Sequence, residues 1–289
     1  MTALDLLGTA NKALRAVLVA RGATSSFVEA GGLPLHHYRV EGGGKGPPLV
    51  LLHGLGGSAN SFYKTLFLLQ PHFSELFAPD LPGNGFSALP KSGALPLEEQ
   101  VRVFVDYLDR VVRRPAFLVG NSLGGAMAIA TAWARPDLVE ALGLVSPAGA
   151  RVSSERMDAL VHSFDVKSVA EARALTRRLF HRAPIPLLVF AGELRRMYGS
   201  AAVQQVLGPG RPRDFLAEEM LAGLAMPTLL IWGKSEKILP YEGLEYFRAH
   251  LPKHAEVHEV AGFGHLPQLE KPDQLVKLLL AFARRNALV

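Results

Sequence analysis

From about residue 26 onward, short runs of aliphatic and β-branched residues alternate with longer stretches in which apolar positions recur every three or four residues. FVEAGGLPLHHYRV (27–40) reads as a hairpin that turns at Gly31-Gly32. LVLLH (49–53), ELFAPD (75–80), AFLVG (116–120), EALGLVS (140–146), TLLIWG (228–233) and AEVHEVAG (255–262) read as strands. LVLLH and the strands like it are continuously apolar, as expected of strands buried on both faces. Helical periodicity covers 97–112, 123–134 and 272–285, and Glu98 and Glu99 open the first of these, where the helix dipole favours acids. Strands that alternate with helices predict an α/β fold, with a mostly parallel sheet and helices on both faces.

The alternation fails between 148 and 226. That segment is rich in Arg, Leu and Ala and is broken by APIP (183–186), GPGRP (208–212) and Gly223, with LLVF (187–190) its one strand-like run. It reads as a helical cap inserted between two sheet strands, with the core formed by 26–147 and 227–289. In residues 1–25, Leu4, Leu7, Leu14 and Leu18 follow a helical stripe. An amphipathic helix packed on the body is expected there, with weak contact to a lipid or membrane surface as its alternative role. Asp5 precedes Lys12, Arg15 and Arg21, the reverse of a secretory signal's charge order, so a cytoplasmic location is the expectation. No run reaches the roughly 18 apolar residues of a spanning helix.

The composition of the 289 residues is that of a globular chain, 49% hydrophobic and 20% charged, and it allows a large core. The net charge of +5 comes from scattered pairs such as Arg113-Arg114, Arg177-Arg178, Arg195-Arg196 and Arg284-Arg285. Nucleic-acid binding calls for a concentrated basic stripe or a recognisable module, so none is expected. The absence of cysteine excludes disulfides, thiolate metal sites and a cysteine nucleophile.

The chemistry begins where AFLVG runs into NSLGGAMAIATAWA. Residues 120–124 spell G-N-S-L-G in a strand–turn–helix context. Gly120 and Gly124 clear the space that a very tight turn needs, and Ser122 rises above the start of a helix, beside the amide of Leu123. A serine hydroxyl needs a base. His265 lies in a Gly-rich loop after the last strand, whereas His36, His37, His72, His162, His181, His250, His254 and His258 read as structural. LLHGLGGSANSF (51–62) closes a strand with His53-Gly54, which makes the Leu55 amide the second oxyanion donor and His53 a support for the loop. This loop lacks the G-K-[ST] ending of a phosphate cradle. The acid that orients the histidine falls between serine and histidine in such enzymes. Glu236 sits there, just past a buried strand, in LIWGKSEKILP. Asp273 reads instead as a helix N-terminal charge, Asp80 as a tie for loop amides, and Glu193 as part of the cap.

HGLGG (53–57), APDLPGNGFS (78–87), GNSLGG (120–125), LLIWGKSEKILP (229–240) and GFGHLPQLEKP (262–272) together resemble the serine-nucleophile branch of the α/β-hydrolase fold family. The resemblance covers nearly the whole chain from about residue 26. It implies a triad of Ser122, Glu236 and His265 and an oxyanion hole at the Leu55 and Leu123 amides, with Glu where this branch usually has Asp. Dehalogenases and epoxide hydrolases of this fold place an Asp where Ser122 stands. The GNSLGG turn is similar to that of the meta-cleavage product hydrolases, but Leu266 replaces their usual Trp. Arg195 and Arg196 are the cap residues that would meet a carboxylate-bearing substrate of that kind. The resemblance implies a carboxylesterase- or lipase-like enzyme acting on a small-molecule ester of hydrophobic character, without metal or organic cofactor. A carbon–carbon bond hydrolase and a non-catalytic ligand-binding member are the alternatives.

Overall fold

The apolar runs pair into one eight-stranded sheet. A computed structural model describes residues 6–90, 93, 95–189, 191–207 and 216–289. Helix α1 (Leu6–Ala20) leads into β1 (Thr24–Ala30), β2 (Leu33–Glu41), β3 (Leu49–Leu52), α2 (Tyr63–Leu69) and β4 (Glu75–Pro79). Then come α3 (Leu97–Tyr107), β5 (Ala116–Asn121), α4 (Leu123–Ala134) and β6 (Val139–Val145). Among the described residues, the segment before β7 (Thr228–Gly233) holds α5 (Ser154–Phe164), α6 (Val169–Leu179), α7 (Ile185–Val189), α8 (Ala191–Tyr198), α9 (Ala201–Leu207) and α10 (Glu218–Ala222). The chain continues through α11 (Tyr241–His250), β8 (Glu256–Val260), α12 (Pro267–Glu270) and α13 (Pro272–Arg285).

The strand order is β1-β2-β4-β3-β5-β6-β7-β8. Strands β1, β2 and β4 pair antiparallel, and the pairs from β4–β3 through β7–β8 are parallel. Gly31 and Gly32 join β1 to β2 at φ +55° and +75°, the left-handed conformation a two-residue hairpin turn requires. Alternation along each buried strand sorts side chains to two cores. Val50, Leu52, Leu118, Leu142 and Leu230 meet Phe104, Met127 and Phe247 on one face. Leu49, Leu51, Phe117, Val119 and Ile231 meet Leu66, Leu279 and Phe282 on the other. The mostly parallel α/β sheet is therefore the one the periodicity predicts.

Some local expectations need correction. The strand-like LLVF does not form a strand: Leu187–Val189 belongs to α7, which begins between Pro184 and Pro186, and Phe190 lies outside the described residues. Proline fits the first turn of a helix, and β6 and β7 pair directly with each other, so no strand from the intervening segment inserts between them. The predicted helix 97–112 is α-helical to Tyr107 and closes with a wider turn, Leu108–Val112, before Arg113 at φ +61°. In α1, Leu18 is buried in the second core with Leu14 packed against it, while Arg15 and Arg21 lie over the rings of Phe86 and Phe67. Leu4, Asp5 and the GPGRP break lie outside the described residues.

Two adjacent histidines on β2 carry polar chains into the packing. His37 Nδ1 is 2.7 Å from the Tyr107 hydroxyl and its Nε2 is 3.0 Å from Ser26 Oγ. Burial, with the charges of His36 and Arg39, pushes the His37 imidazole down to about 4. The unfolded chain therefore binds the proton first as pH falls. Stability from this group is complete above about pH 6.5 and is lost as pH falls toward 4, by about 3 kcal/mol in all. His37→Gln keeps a polar side chain without the titration. It should flatten the pH dependence of the urea midpoint by about one proton over this window. An unchanged slope would show that His37 does not supply it.

Candidate active site

Ser122 follows the last residue of β5 with φ +54° and ψ −118°, a conformation that costs an L-residue about 1–3 kcal/mol. Its surroundings over-determine it. Its N–H donates to Val145 O at the end of β6 (3.1 Å), and its carbonyl accepts from Gly125, Ala126 and Ala148 (2.9, 3.1 and 3.0 Å). A Cβ on Gly120 would overlap the Gly124 carbonyl, and one on Gly124 would overlap Leu52 O. Both glycines are required by close backbone approach. The turn feeds directly into α4, so the Leu123 amide lies in a first helical turn, where amides have no intrahelical acceptor.

Glu236 and His265 meet across two loops. Glu236 Oε2 is 2.7 Å from His265 Nδ1, and the side chains are 2% and 5% exposed. Glu236 Oε1 accepts from the amides of Ile238 (2.7 Å) and Leu239 (3.1 Å). Burial alone would push the Glu236 carboxyl up. The His265 charge, the hydrogen bond to its ring and the two amides outweigh it and hold the carboxyl below its usual range. A carboxylate at Nδ1 keeps the ring proton there and leaves Nε2 for proton transfer. The two loops are also joined by backbone, with Lys234 N donating to Val260 O (2.9 Å) and Ser235 N to Phe263 O (3.0 Å).

The third loop follows β3. His53 is fully buried; its Nδ1 lies 2.8 Å from Gly54 O and its Nε2 accepts from Leu81 N at 2.9 Å. An amide can only donate, so Nε2 is the acceptor and the proton sits on Nδ1. Burial lowers the pKa of this imidazole, which keeps it neutral. Gly54 O and Leu55 N–H belong to one trans peptide plane and point opposite ways. By holding that carbonyl, His53 sets the direction of the Leu55 amide. Asp80 secures the far end of the loop, accepting from Ala59 N (2.7 Å) with one oxygen and from Phe86 N (2.9 Å) with the other, which also meets His36 Nδ1 (2.7 Å).

Residues 47–272 match the family described as alpha/beta hydrolase fold. The chain belongs to that family. This α/β hydrolase is 31% identical over 263 residues to the pimeloyl-[acyl-carrier protein] methyl ester esterase of Nitrosospira multiformis, covering 85% of this chain and 97% of that one. The crystal structure of a bacterial membrane phospholipase A superposes with a TM-score of 0.84 at 26% identity, covering 96% and 92% of the two chains. The 2-hydroxy-6-oxo-6-phenylhexa-2,4-dienoate hydrolase of Rhodococcus sp. strain RHA1 shares the fold, with a TM-score of 0.75 at 23% identity over 91% and 99%.

Contacts that the sequence did not reveal tie the helical segment of this hydrolase to the site. Leu179 O, at the end of α6, accepts from His265 N (2.9 Å), and Arg178 Nε donates to Lys237 O (2.9 Å) beside Glu236. Glu270 accepts from the amides of His181 (3.0 Å), Arg182 (2.7 Å) and Gly264 (3.2 Å). His181 Nδ1 lies 2.7 Å from Ser235 Oγ. A Cβ on Gly56, next to Leu55, would lie 3.3 Å from Val203 Cγ2 and 3.9 Å from Met197 Cε, so α8 and α9 roof the loop after β3. Glu193 pairs with Arg196, Arg195 donates to Lys167 O (3.1 Å), and Asp273 lies in the first turn of α13. Gly124→Ala places a methyl against the Leu52 and His53 carbonyls. It should lower unfolding free energy by about 1–3 kcal/mol in urea titration, and no loss would mean the turn tolerates a wider approach.

Proposed function

We propose that this α/β hydrolase is a serine esterase that cleaves carboxylic esters of hydrophobic substrates through an acyl-enzyme. The observation that carries this reading is the buried 2.7 Å Glu236–His265 pair, on loops that end at the same sheet edge as the strained turn of Ser122. Ser122 Oγ attacks the ester carbonyl carbon while His265 Nε2 takes the hydroxyl proton. Glu236, ionised at neutral pH, stabilises the imidazolium. The Leu55 and Leu123 amides receive the oxyanion. The tetrahedral adduct collapses, the C–O bond to the alcohol breaks, and His265 returns its proton to the departing oxygen. Water, deprotonated by the same ring, then releases the acid and restores Ser122.

The hydrophobic character rests on the cluster that Phe164, Phe180, Leu194 and Tyr198 form above the site, which extends onto Ile238, Leu239 and Leu266 beside the acid and the base. The likeness to a membrane phospholipase A and to a methyl ester esterase supports it. A dienoate carboxylate would need free cap arginines, but Arg195 and Arg196 are engaged at the surface. The exposed part of α1 supports a lipid contact: Val17 and Val19, which flank the buried Leu18, are 50% and 47% exposed, and Lys12 is exposed on the same helix.

A fluorophosphonate probe should label Ser122 and fail on Ser122→Ala; an unlabelled folded wild type would sink the esterase reading. Glu236→Ala should lower kcat by about a thousandfold or more with the fold retained, and Glu236→Asp, shorter by one methylene, should recover only part of it. Faster turnover of a dienoate than of p-nitrophenyl esters would favour carbon–carbon cleavage instead. Flotation with anionic vesicles should recover the full chain, and Val17→Asp/Val19→Asp should reduce it; equal recovery of both would remove α1 as the contact.

A further inference from the structure

The backbone of His265 is held at both ends. Its amide donates to Leu179 O, and its carbonyl accepts from Asn121 Nδ2 at 2.9 Å. Asn121 ends β5 immediately before Ser122. One side chain therefore ties the nucleophile turn to the base loop across 144 positions of sequence. The same Nδ2 donates to Val145 O at 3.1 Å, the carbonyl that also accepts from Ser122 N. Asn121 Oδ1 in turn accepts from Gln268 Nε2 at 3.0 Å, from the short helix α12 that follows His265. Asn121 and Gln268 are each 1% exposed. Both acceptors of Nδ2 are carbonyls, so a reversed amide would set Oδ1 against two carbonyl oxygens, and the orientation is unambiguous.

Gln268 Oε1 is buried with no hydrogen-bond partner. A buried acceptor in that state is unfavourable, and an apolar side chain of similar length at 268 would avoid it. What Gln268 contributes is the Nε2 donor that stops the Asn121 amide from turning.

We propose that Asn121 is a positioning residue that sets the distance between His265 Nε2 and Ser122 Oγ, with Gln268 holding its amide in place. This rests on the assignment of Ser122 and His265 as nucleophile and base. The two groups stand on segments distant in the chain, and proton transfer between them is steep in distance. Asn121 grips the backbone of residue 265 and not its ring. Losing it displaces the imidazole from Ser122 and leaves the hydrogen bond to Glu236 intact. Both proton transfers are then impaired, while substrate binding is not. An alkyl ester suffers most, because its alkoxide leaves only with a proton from His265; p-nitrophenoxide leaves without one.

The test compares wild type, Asn121→Ala and Gln268→Met as full chains. The readouts are fluorophosphonate labelling rate, kcat and KM on an alkyl and a p-nitrophenyl ester of one acid, and thermal melts by circular dichroism. Asn121→Ala should lower kcat about a hundredfold on the alkyl ester and about tenfold on the p-nitrophenyl ester, with KM within about twofold. Gln268→Met should show the same pattern more weakly, and it carries the test alone if Asn121→Ala does not fold. Folded variants with wild-type kcat, or with equal losses on both esters, would overturn the proposal while a labelled wild type leaves the Ser122 assignment standing. A folded wild type that the probe does not label would overturn the assignment and the positioning role together.

Discussion

A serine at φ +54° between a buried strand and a buried helix is the constraint on which the rest of this molecule depends. Such a turn persists only where neighbouring backbone closes around it. Gly120 and Gly124 permit that closeness, since their missing side chains let β3, β5 and α4 approach to backbone contact. The parallel direction of β3, β5, β6, β7 and β8 does the rest. Their C-terminal ends share one edge, so the loops carrying His53, Ser122, Glu236 and His265 all emerge together.

That edge is a concentration of buried polarity, and it is stable because its donors and acceptors are matched. Glu236 spends one oxygen on two amides and the other on an imidazole. Asp80 gives one oxygen to the Ala59 amide and the other to the Phe86 amide and His36. A buried carboxylate without such partners would protonate or destabilise the fold. His53 shows the opposite solution, an imidazole kept neutral by burial and fixed in one tautomer by a carbonyl and an amide. Charge is retained where chemistry would use it and suppressed where only geometry is needed.

The helical segment between β6 and β7 is fastened to the loops of Glu236 and His265 at Leu179, Arg178 and Glu270. Its apolar cluster runs continuously onto Leu239 and Leu266. Whatever apolar group enters beneath it therefore meets surfaces held by the same backbone that holds the triad candidates.

The strands, the strand-to-helix turn at Ser122 and the glycines around it were legible in the sequence because each is decided within a few residues. A continuous apolar run, a G-x-S-x-G between strand and helix, and a Gly-Gly between two strand runs state their own geometry. Glu236 stood out by order along the chain, as a carboxylate between serine and histidine, and the fold sets it 2.7 Å from His265 Nδ1. LLVF misled because a four-residue apolar run does not specify its own backbone, and β6 and β7 pair directly with no strand between them. Arg195 and Arg196 looked available because their partners, Lys167 O and Glu193, become visible only in the fold. Asn121 read as a neutral letter in the motif, and Gln268 as an ordinary residue after the histidine. The sequence by itself determined which backbone could turn and which faces would be buried, since those depend on local sterics and period. Only the tertiary structure decided which side chains lock the loops to one another, because those contacts join positions more than a hundred residues apart.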